Sequence, residues 1–318
     1  MERKFKSPLE LFEEKKVVNI CAPMVRYSKL PFRELVREYN CDLTYTPMIL
    51  ADVFKNSNYA RECDFTTNER DNPVIIQFAA TNATDLADAA ELASPYVSGV
   101  DLNCGCAQKW AINEGIGSYL MEHPELVRDM VRQTKNRVNI PCSIKIRAHK
   151  DLRQTVEFAK RAESVGVDFI TVHGRTRRQK SSEAVNLEAI KLVKESASVP
   201  IVANGDIFSR EDAEYIAEYT KVDGVMAARG ILHNPALFAL DPVDPWDYIK
   251  KYIELALGYG TNFFIFHHHL MFMFEGVMSN AERKTFNTLS SVSAILDHLR
   301  DYYDLEVSVP SRTSSPEH

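Results

Sequence analysis

Eight short runs of apolar and β-branched residues, each followed by an amphipathic stretch or a polar loop, constrain the fold of this chain more than any other feature. The runs are Val17–Cys21, Leu43–Tyr45, Val74–Phe78, Val100–Asn103, Ser143–Arg147, Phe169–His173, Ile201–Asn204 and Gly224–Ala227. The amphipathic stretches between them are long enough to cross back over a parallel sheet. They are Leu30–Tyr39, Asn82–Leu92, Pro124–Thr134, Leu152–Val165, Leu187–Ser196 and Arg210–Tyr219. The alternation favours a closed or doubly wound parallel sheet, and eight strands favour an α/β fold of the (β/α)8 TIM barrel type.

The strand pattern stops near residue 237, and a purely helical pattern follows. The segment Asp241-Pro-Val-Asp-Pro245 has the composition of a boundary. Beyond it we predict a small all-α bundle with helices near Trp246–Leu257, Phe263–Phe274, Ala281–Leu289 and Ser291–Tyr302. The predicted organisation is an N-terminal extension (1–16), a barrel (17–240), a helical domain (241–305) and a disordered tail (306–318).

Composition and charge exclude several classes of protein. Hydrophobic residues make up 45% and charged residues 26% of the 318 residues, which excludes wholesale disorder. The net charge of −6 gives no overall cationic field, so a nucleic-acid partner would need a local basic patch. Such patches occur at residues 145–153 and 175–180, and Arg283 with Lys284 extends the positive charge or is simply solvated.

The sequence carries no sign of secretion or of a membrane segment. Its first 16 residues lack an apolar secretion signal, and the apolar run Phe263–Phe274 is interrupted by three histidines. The six cysteines lack the spacing of a disulfide framework. We therefore expect reduced thiols in a soluble protein of the cytosol or nucleus, and a monomer.

The predicted strands end in polar residues at the edge where a barrel places its active site. These residues are Pro23 and Met24 after the first run, Gln77, Asp101, Asn103, Lys145, Arg147, His173, Arg175 and Asn204-Gly205-Asp206. So many polar strand ends predict one convergent pocket.

Two segments predict a phosphate site after the seventh and eighth strands, namely Asn204-Gly205-Asp206 and Ala228-Arg229-Gly230. Barrels often bind phosphate there through backbone N–H groups, glycine permits close approach, and Arg229 offers two parallel donors. Either segment alone is better explained by turn glycines and a capping arginine. The two together favour phosphate.

Lys145 and Arg147 share one face of their strand, with Ile144 and Ile146 on the other. A lysine that faces the barrel needs an anionic or electron-rich partner. It could stabilise negative charge on a reduced flavin, or it could form an internal salt bridge with Asp101 or Asp206.

Cys106 is the strongest candidate for catalysis, because a thiol that is protonated near neutral pH can act as a general acid. Cys104 precedes it by two residues, but no second pair has zinc spacing, so we expect no metal. We expect the other thiols, Cys21, Cys41, Cys63 and Cys142, to be inert. Consecutive histidines cannot share a helix face, so His267–His269 favours an RNA contact or a helix cap over a metal site.

These motifs, in this order, resemble the tRNA-dihydrouridine synthases, and most of all the branch that acts on positions 20a and 20b. The resemblance covers residues 17–303 and rests on Ala22-Pro23-Met24, Gln77, Asp101-Leu-Asn-Cys-Gly-Cys106, Gly115-Ile-Gly117, Lys145-Ile-Arg147, His173-Gly-Arg175-Thr176, Asn204-Gly-Asp206 and Ala228-Arg229-Gly230-Ile-Leu-His-Asn-Pro235. It implies an FMN-dependent barrel with a helical tRNA-binding domain, which reduces the C5–C6 bond of D-loop uridines with NADPH or NADH as electron donor.

The resemblance also implies roles for single residues. Cys106 matches the proton-donating cysteine and Asn103 the asparagine that contacts the target uracil. The residues that match flavin contacts are Pro23, Met24, Val25, Gln77 and Lys145 for the ring side, and His173, Asn204, Gly205, Asp206, Ala228 and Arg229 for the phosphate side. The expected substrate contacts are Arg147, Arg175, Arg177 and Arg178 together with Asn103.

One position departs from the family pattern. Ala107 stands where the family has a proline after the catalytic cysteine, which loosens the backbone of this loop. Two alternatives remain open from the sequence: a flavin barrel that reduces a small pyrimidine, and a tRNA-binding module with impaired catalysis.

Overall fold

A computed structural model describes residues 5–307 and shows eight parallel strands closed into a barrel. The strands are β1 (Val18–Cys21), β2 (Leu43–Leu50), β3 (Val74–Ala79), β4 (Gly99–Asn103), β5 (Cys142–Arg147), β6 (Phe169–His173), β7 (Ile201–Asn204) and β8 (Gly224–Ala227). Each strand pairs with its neighbours along the chain, and β1 pairs with β8. The predicted TIM barrel is confirmed.

Fifteen α-helices lie within the described residues. They are α1 (Pro8–Glu14), α2 (Leu30–Arg37), α3 (Ala51–Asn56), α4 (Asn58–Asp64), α5 (Ala83–Ala93), α6 (Lys109–Asn113), α7 (Pro124–Arg137), α8 (Leu152–Glu163), α9 (Leu187–Ser196), α10 (Arg210–Thr220), α11 (Arg229–His233), α12 (Pro245–Gly258), α13 (Phe263–Met273), α14 (Asn280–Phe286) and α15 (Val292–Tyr303). The main core consists of the outward faces of the strands and the apolar faces of α2, α3, α5 and α7 to α10, and it continues into α11 to α15. None of the helices between residues 5 and 307 has the length and apolarity needed to cross a bilayer.

Local sequence sets the start of several helices. Asn82 accepts a hydrogen bond from the backbone N–H of Asp85 and begins α5, and Pro124 occupies the first turn of α7. Ser209 and Asp212 form a reciprocal capping box at α10. Each start thus carries a residue type that helix N-termini favour.

Strand β2 extends to Leu50, beyond the predicted end at Tyr45. This extension is unexpected, because a proline such as Pro47 rarely occurs inside a paired strand. The structure accommodates Pro47 where the β2–β3 register shifts, between Tyr45 and Met48. There the hydroxyl of Thr46 accepts the backbone N–H of Gln77 at 3.1 Å. A side chain thus takes the place of a ladder hydrogen bond, and pairing resumes through Leu50.

The N-terminal extension contains a helix that the sequence pattern did not reveal. In α1, Leu11 is buried with residues from inside the barrel, and the Phe12 ring lies 5.3 Å from that of Phe169. These contacts close the end of the barrel where the strands begin. The opposite opening, at the carboxyl ends of the strands, is the mouth of the barrel. The site must therefore be approached from the carboxyl ends of the strands.

After the barrel come four α-helices, α12 to α15, in agreement with the sequence pattern. Helix α12 packs against α2, and α13 packs against α11. The contact is aromatic, with Tyr252 and Phe32 both next to the buried ring of His269. From residue 308 onward, the expected disordered tail lies outside the described residues.

Candidate active site

The strand register brings the expected polar residues together at the mouth. Asn103 of β4 lies beside Lys145 of β5, and Arg147 lies beside His173 of β6. His173 in turn lies beside Asn204 of β7. The expected convergence of polar strand ends is what the structure shows.

A chain of hydrogen bonds fixes the floor of this site. Ser143 and Gln77 donate to the two carboxylate oxygens of Asp101, each at 2.7 Å. Asn103 donates to the side-chain oxygen of Gln77 at 2.8 Å. Burial raises the pKa of Asp101 to about 6, although these hydrogen bonds favour its charged form. The amide of Gln77 is therefore held in one orientation, with its nitrogen toward Asp101 and its oxygen toward Asn103.

The loop after β4 holds Cys106 at the mouth. The side-chain oxygen of Asn103 accepts the backbone N–H groups of Gly105 and Cys106, at 3.0 and 2.8 Å. Arg147 donates to the carbonyl of Gly105 at 2.6 Å, and Ser118 N–H donates to the carbonyl of Cys106 at 2.8 Å. The loop is thus fixed at both ends by hydrogen bonds.

The two cysteines of this loop differ in accessibility. Cys106 is half-buried, whereas Cys104 is buried and burial raises the pKa of Cys104 well above its usual range. Gly117 packs closely behind the loop, where an added Cβ would lie 2.7 Å from the carbonyl oxygen of Cys106. Only Cys106 can present its thiol to a ligand in the mouth.

Lys145 has a neutral partner. Its ammonium donates to the side-chain oxygen of Asn204 at 2.8 Å, and Asn204 donates to the carbonyl of Met226 at 2.8 Å. Desolvation, followed by the nearby charge of Arg147, lowers the pKa of Lys145 to about 8. Within residues 5–307, neither Asp101 nor Asp206 comes within ion-pair distance of it, so the salt-bridge alternative is wrong.

A cavity of about 210 Å³ lies beyond Asn204, at the ends of β6, β7 and β8. Asp206, at a φ of +51°, forms ion pairs with Arg175 and with Arg229, the latter at 3.0 Å. Desolvation and the surrounding cations lower the pKa of His173 to about 2, so its ring is neutral at physiological pH. All the residues expected on the phosphate side line this cavity. Among them, the carboxylate of Asp206 is already paired with two arginines.

The expected substrate residues fall into two groups. The first group is engaged within the protein: Arg175 is buried, pairs with Asp206 and donates to the carbonyl of Glu183. Arg147 donates to the carbonyls of Gly105 and Thr176. Arg177 and Arg178 instead line a neighbouring cleft of about 620 Å³ that also contains Lys150. Arg177 pairs with Glu122 at 2.8 Å, whereas Arg178 and Lys150 have no hydrogen bond or ion pair in the described part of the chain.

Two of the three histidines of α13, His267 and His269, serve packing and capping. His267 lies 3.3 Å from the carbonyl of Phe286, at the end of α14, which is the expected helix cap. His269 is buried and contacts the carbonyl of Tyr27 at 3.1 Å. No group of three His, Cys, Asp or Glu side chains suited to a metal occurs among the described residues.

At the first strand, Pro23 and Met24 are half-buried and Val25 is 51% exposed. The backbone N–H of Met24 donates to the hydroxyl of Ser28 at 2.9 Å, which fixes the turn. Sequence reasoning missed the next residue, Arg26, which has a left-handed backbone with φ of +73°. No local pattern marks such a conformation in a residue other than glycine, asparagine or aspartate.

Comparison with known proteins gives a consistent result. The family model described as dihydrouridine synthase (Dus) matches residues 20–312. The mouse protein named tRNA-dihydrouridine(20a/20b) synthase [NAD(P)+]-like is 52% identical over 95% of this chain and 94% of its own length. The fission yeast (Schizosaccharomyces pombe) tRNA-dihydrouridine(20a/20b) synthase [NAD(P)+] is 44% identical over 95% and 94%. A mouse tRNA-dihydrouridine(16/17) synthase-like protein is 35% identical over 87% of this chain and 61% of its own.

Solved structures share the fold at low identity. An amine oxidase from Pseudomonas geniculata superimposes with a TM-score of 0.53 at 12% identity, over 69% of this chain and 46% of its own. A 2-naphthoyl-CoA reductase gives a TM-score of 0.51 at 11% identity, over 69% and 49%. At these identities the likeness concerns the barrel alone.

Proposed function

The chain belongs to the dihydrouridine synthase family, and from that premise we propose that it reduces tRNA uridines to 5,6-dihydrouridine with NADPH or NADH as electron donor. The observation that carries this function is the position of Cys106, which is held half-buried at the mouth of the barrel beside Lys145. Uridines at positions 20a and 20b are the proposed targets, because the relatives that match nearly the whole chain carry those positions in their names.

The residues of the mouth fit FMN. Lys145 is a cation with only a neutral hydrogen-bond partner, so it lacks the anion that would compensate its charge. The cavity at the ends of β6 to β8 has phosphate-sized space and guanidinium groups from Arg175 and Arg229. We assign the phosphate to this cavity, with His173, Asn204, Gly205, Asp206, Ala228 and Arg229 around it. We assign the flavin ring to Pro23, Met24, Val25, Gln77 and Lys145.

The protein supplies the second hydrogen of the reaction. When bound, FMN would supply hydride chemistry for C6 of the uracil, with electrons from the nicotinamide donor. The other hydrogen reaches C5 as a proton from the thiol of Cys106, which leaves a thiolate that must be reprotonated from solvent. Asn103 positions this thiol by holding the backbone N–H of Cys106. Because Asn103 already makes three hydrogen bonds, any contact with the uracil adds to this positioning role.

The tRNA would lie across the basic cleft and the C-terminal helices. Arg177 and Arg178 line the cleft beside Lys150, and Arg147 holds one wall in place through the carbonyl of Thr176. Arg175 borders the adjoining cavity. We propose that residues 17–240 form the catalytic barrel and residues 241–305 a tRNA-binding helical domain, and that a single chain suffices. A D-loop nucleotide can leave its stack at low cost because it lies outside regular duplex.

Two measurements test the proposal. The protein is mixed with FMN, desalted and reduced anaerobically with NADPH, and we expect a flavin band in the visible spectrum that stays with the protein and bleaches on reduction. Unmodified tRNA is then added, and dihydrouridine is located by mass spectrometry of fragments. Dihydrouridine at 20a and 20b supports the proposal. Reduction of free uracil instead would support the small-pyrimidine alternative, and flavin reduction without any product from tRNA would support impaired catalysis.

A further inference from the structure

A cationic and aromatic surface lies on the rim of the mouth, where the β1–α2 loop meets α13. Arg26 and Phe264 are both exposed, Phe264 by 46%, and the guanidinium carbon of Arg26 lies 5.5 Å from the centre of the Phe264 ring. The ring of His268 lies 4.1 Å from that of Phe264, tilted by 38°. We call these three side chains the rim platform.

The platform is held by contacts beneath it. The hydroxyl of Tyr27 lies 3.1 Å from Nδ1 of His268, and the backbone carbonyl of Tyr27 lies 3.1 Å from Nε2 of His269. The Tyr27 ring also packs edge-on against Phe272 at 5.3 Å. The loop that carries Arg26 is therefore fixed to α13, and the two halves of the platform keep their relative positions.

Arg26 adopts a backbone conformation that is unfavourable for an arginine. Its φ of +73° lies in the left-handed region, where residues with a Cβ persist only if the surroundings impose it. Such conformations cluster at ligand-binding sites, and here the conformation aims an exposed guanidinium across an exposed ring. A solvated surface arginine would need neither feature.

The charge and chemistry of the platform fit RNA. Arg26 forms no ion pair with any carboxylate in the part of the chain that the structure describes, and the other two members are aromatic rings. Arginine beside an exposed ring is the combination on which unpaired bases stack, with the guanidinium free for a phosphate. The platform also follows Val25 directly along the chain, so it borders the segment that we assign to the flavin ring.

We propose that the rim platform stacks an unpaired D-loop nucleotide of the tRNA and thereby positions the neighbouring target uridine over the barrel mouth. This inference rests on the proposed function. The occupant is a single-stranded nucleotide, recognised by its base through Phe264 and by its phosphate through Arg26.

The test compares Phe264→Leu with Phe264→Tyr, which keeps a ring, and with Tyr96→Leu. Tyr96 is 53% exposed and lies three residues before the start of β4, at the end of the barrel opposite the mouth. We expect Phe264→Leu to raise the Kd and the KM for tRNA about tenfold. Phe264→Tyr and Tyr96→Leu should stay within about twofold of the unchanged protein, and NADPH bleaching of bound flavin without tRNA should be the same in all four proteins.

A second measurement identifies the stacked base. Binding is measured with tRNAs that carry one abasic site in turn along the D-loop. At one position the abasic site should weaken binding to the unchanged protein about tenfold but leave Phe264→Leu unaffected, because the stacked partner is already missing. No such position, or a Phe264→Leu protein that binds tRNA like the unchanged one, overturns the proposal.

Controls separate this inference from its premise and from misfolding. If Phe264→Leu lowers the melting temperature, Arg26→Gln takes its place with the same expected loss of binding, and normal binding by it overturns the proposal. If the unchanged protein binds tRNA but forms no dihydrouridine, the proposed reaction fails, while the abasic comparison still decides whether the platform stacks a base.

Discussion

The side-chain oxygen of Asn103 accepts the backbone N–H of Cys106 at 2.8 Å, three residues further along the chain. The same oxygen accepts the N–H of Gly105, so one amide sets the path of the backbone that carries the thiol. Arg147 also donates to the carbonyl of Gly105, so hydrogen bonds fix the backbone before Ala107, a residue that does not restrict φ as proline would.

We predict that Asn103→Ala lowers the rate of dihydrouridine formation about 100-fold, because displacement of an acid by about 1 Å has effects of that size. Flavin content should stay unchanged. Asn136→Ala, an exposed position in α7, is the matched control and should retain full activity. An Asn103→Ala protein with normal turnover would contradict the positioning role.

Cys106→Ala should retain FMN and its reduction by NADPH but lose product formation by about 100-fold or more, since a general acid contributes roughly that factor. The readouts are the visible spectrum for the flavin and mass spectrometry for dihydrouridine. Cys63→Ala, which removes an exposed thiol from α4, controls for cysteine loss. Undiminished dihydrouridine formation by Cys106→Ala would rule out the proton-donor role.

How much the sequence predicts depends on how local each feature is. Strands β6, β7 and β8 begin and end at the expected residues, because each is a continuous apolar run bounded by turn residues. Helices α3 and α4 were missed, since the polar segment from Ala51 to Asp64 has no clear periodicity. Helix α3 buries Ala51 and Phe54 beside β2 and α5, and α4 packs on α3 without a buried side chain of its own. Local patterns do not contain such contacts.

The site shows the same division. That Lys145, His173 and Asn204 would converge was predictable, because strand ends of a parallel barrel meet at one mouth. The sharing of Asp206 by two arginines was not, since it joins strands β6 to β8 through side chains distant in sequence. The same holds for the left-handed backbone of Arg26.

Arg229→Ala should weaken FMN binding by roughly 10- to 100-fold, because a hydrogen bond to a charged group contributes about 1.5–3 kcal/mol. Its guanidinium already lies at the cavity, 3.0 Å from Asp206 and 5.2 Å from the centre of the Phe208 ring. Quenching of flavin fluorescence gives the Kd. Arg210→Ala, which removes an arginine paired with Glu214 that does not line this cavity, should leave the Kd unchanged.

Lys145 predicts a pH dependence of stability. Its pKa falls from 10.5 to about 8 in the folded protein, mainly through desolvation. Between these values the unfolded chain binds a proton that the folded chain does not, so this group makes the free energy of unfolding rise with pH in that window and contributes no slope below it. Urea titrations of the two cofactor-free proteins measure this effect. Between pH about 8 and 10.5, the free energy of unfolding should rise more with pH in the unchanged protein than in Lys145→Met. Parallel pH profiles would contradict the assignment.

The ion pair between Arg33 and Asp71 predicts a large effect on stability. Both side chains are almost fully buried, with 2.6 Å between Nη2 and Oδ2, and the pair ties α2 to the loop before β3. Burial alone would raise the pKa of Asp71, but Arg33 and Arg37 hold it below its usual value. We expect Asp71→Asn to lower the free energy of unfolding by about 3–5 kcal/mol, because it leaves a buried guanidinium without a counter-charge. Urea titration at neutral pH measures this change.

The matched control is Asp301→Asn, which breaks an exposed pair with Arg300 and should change stability by less than about 1 kcal/mol. Because the folded pKa of Asp71 lies below the unfolded value of 3.8, its stabilisation is complete above that pH and is lost as the pH falls further. The difference between the unchanged protein and Asp71→Asn should therefore shrink only in strong acid. If the two aspartate variants are equally stable at neutral pH, the pair does not stabilise the junction between α2 and the barrel.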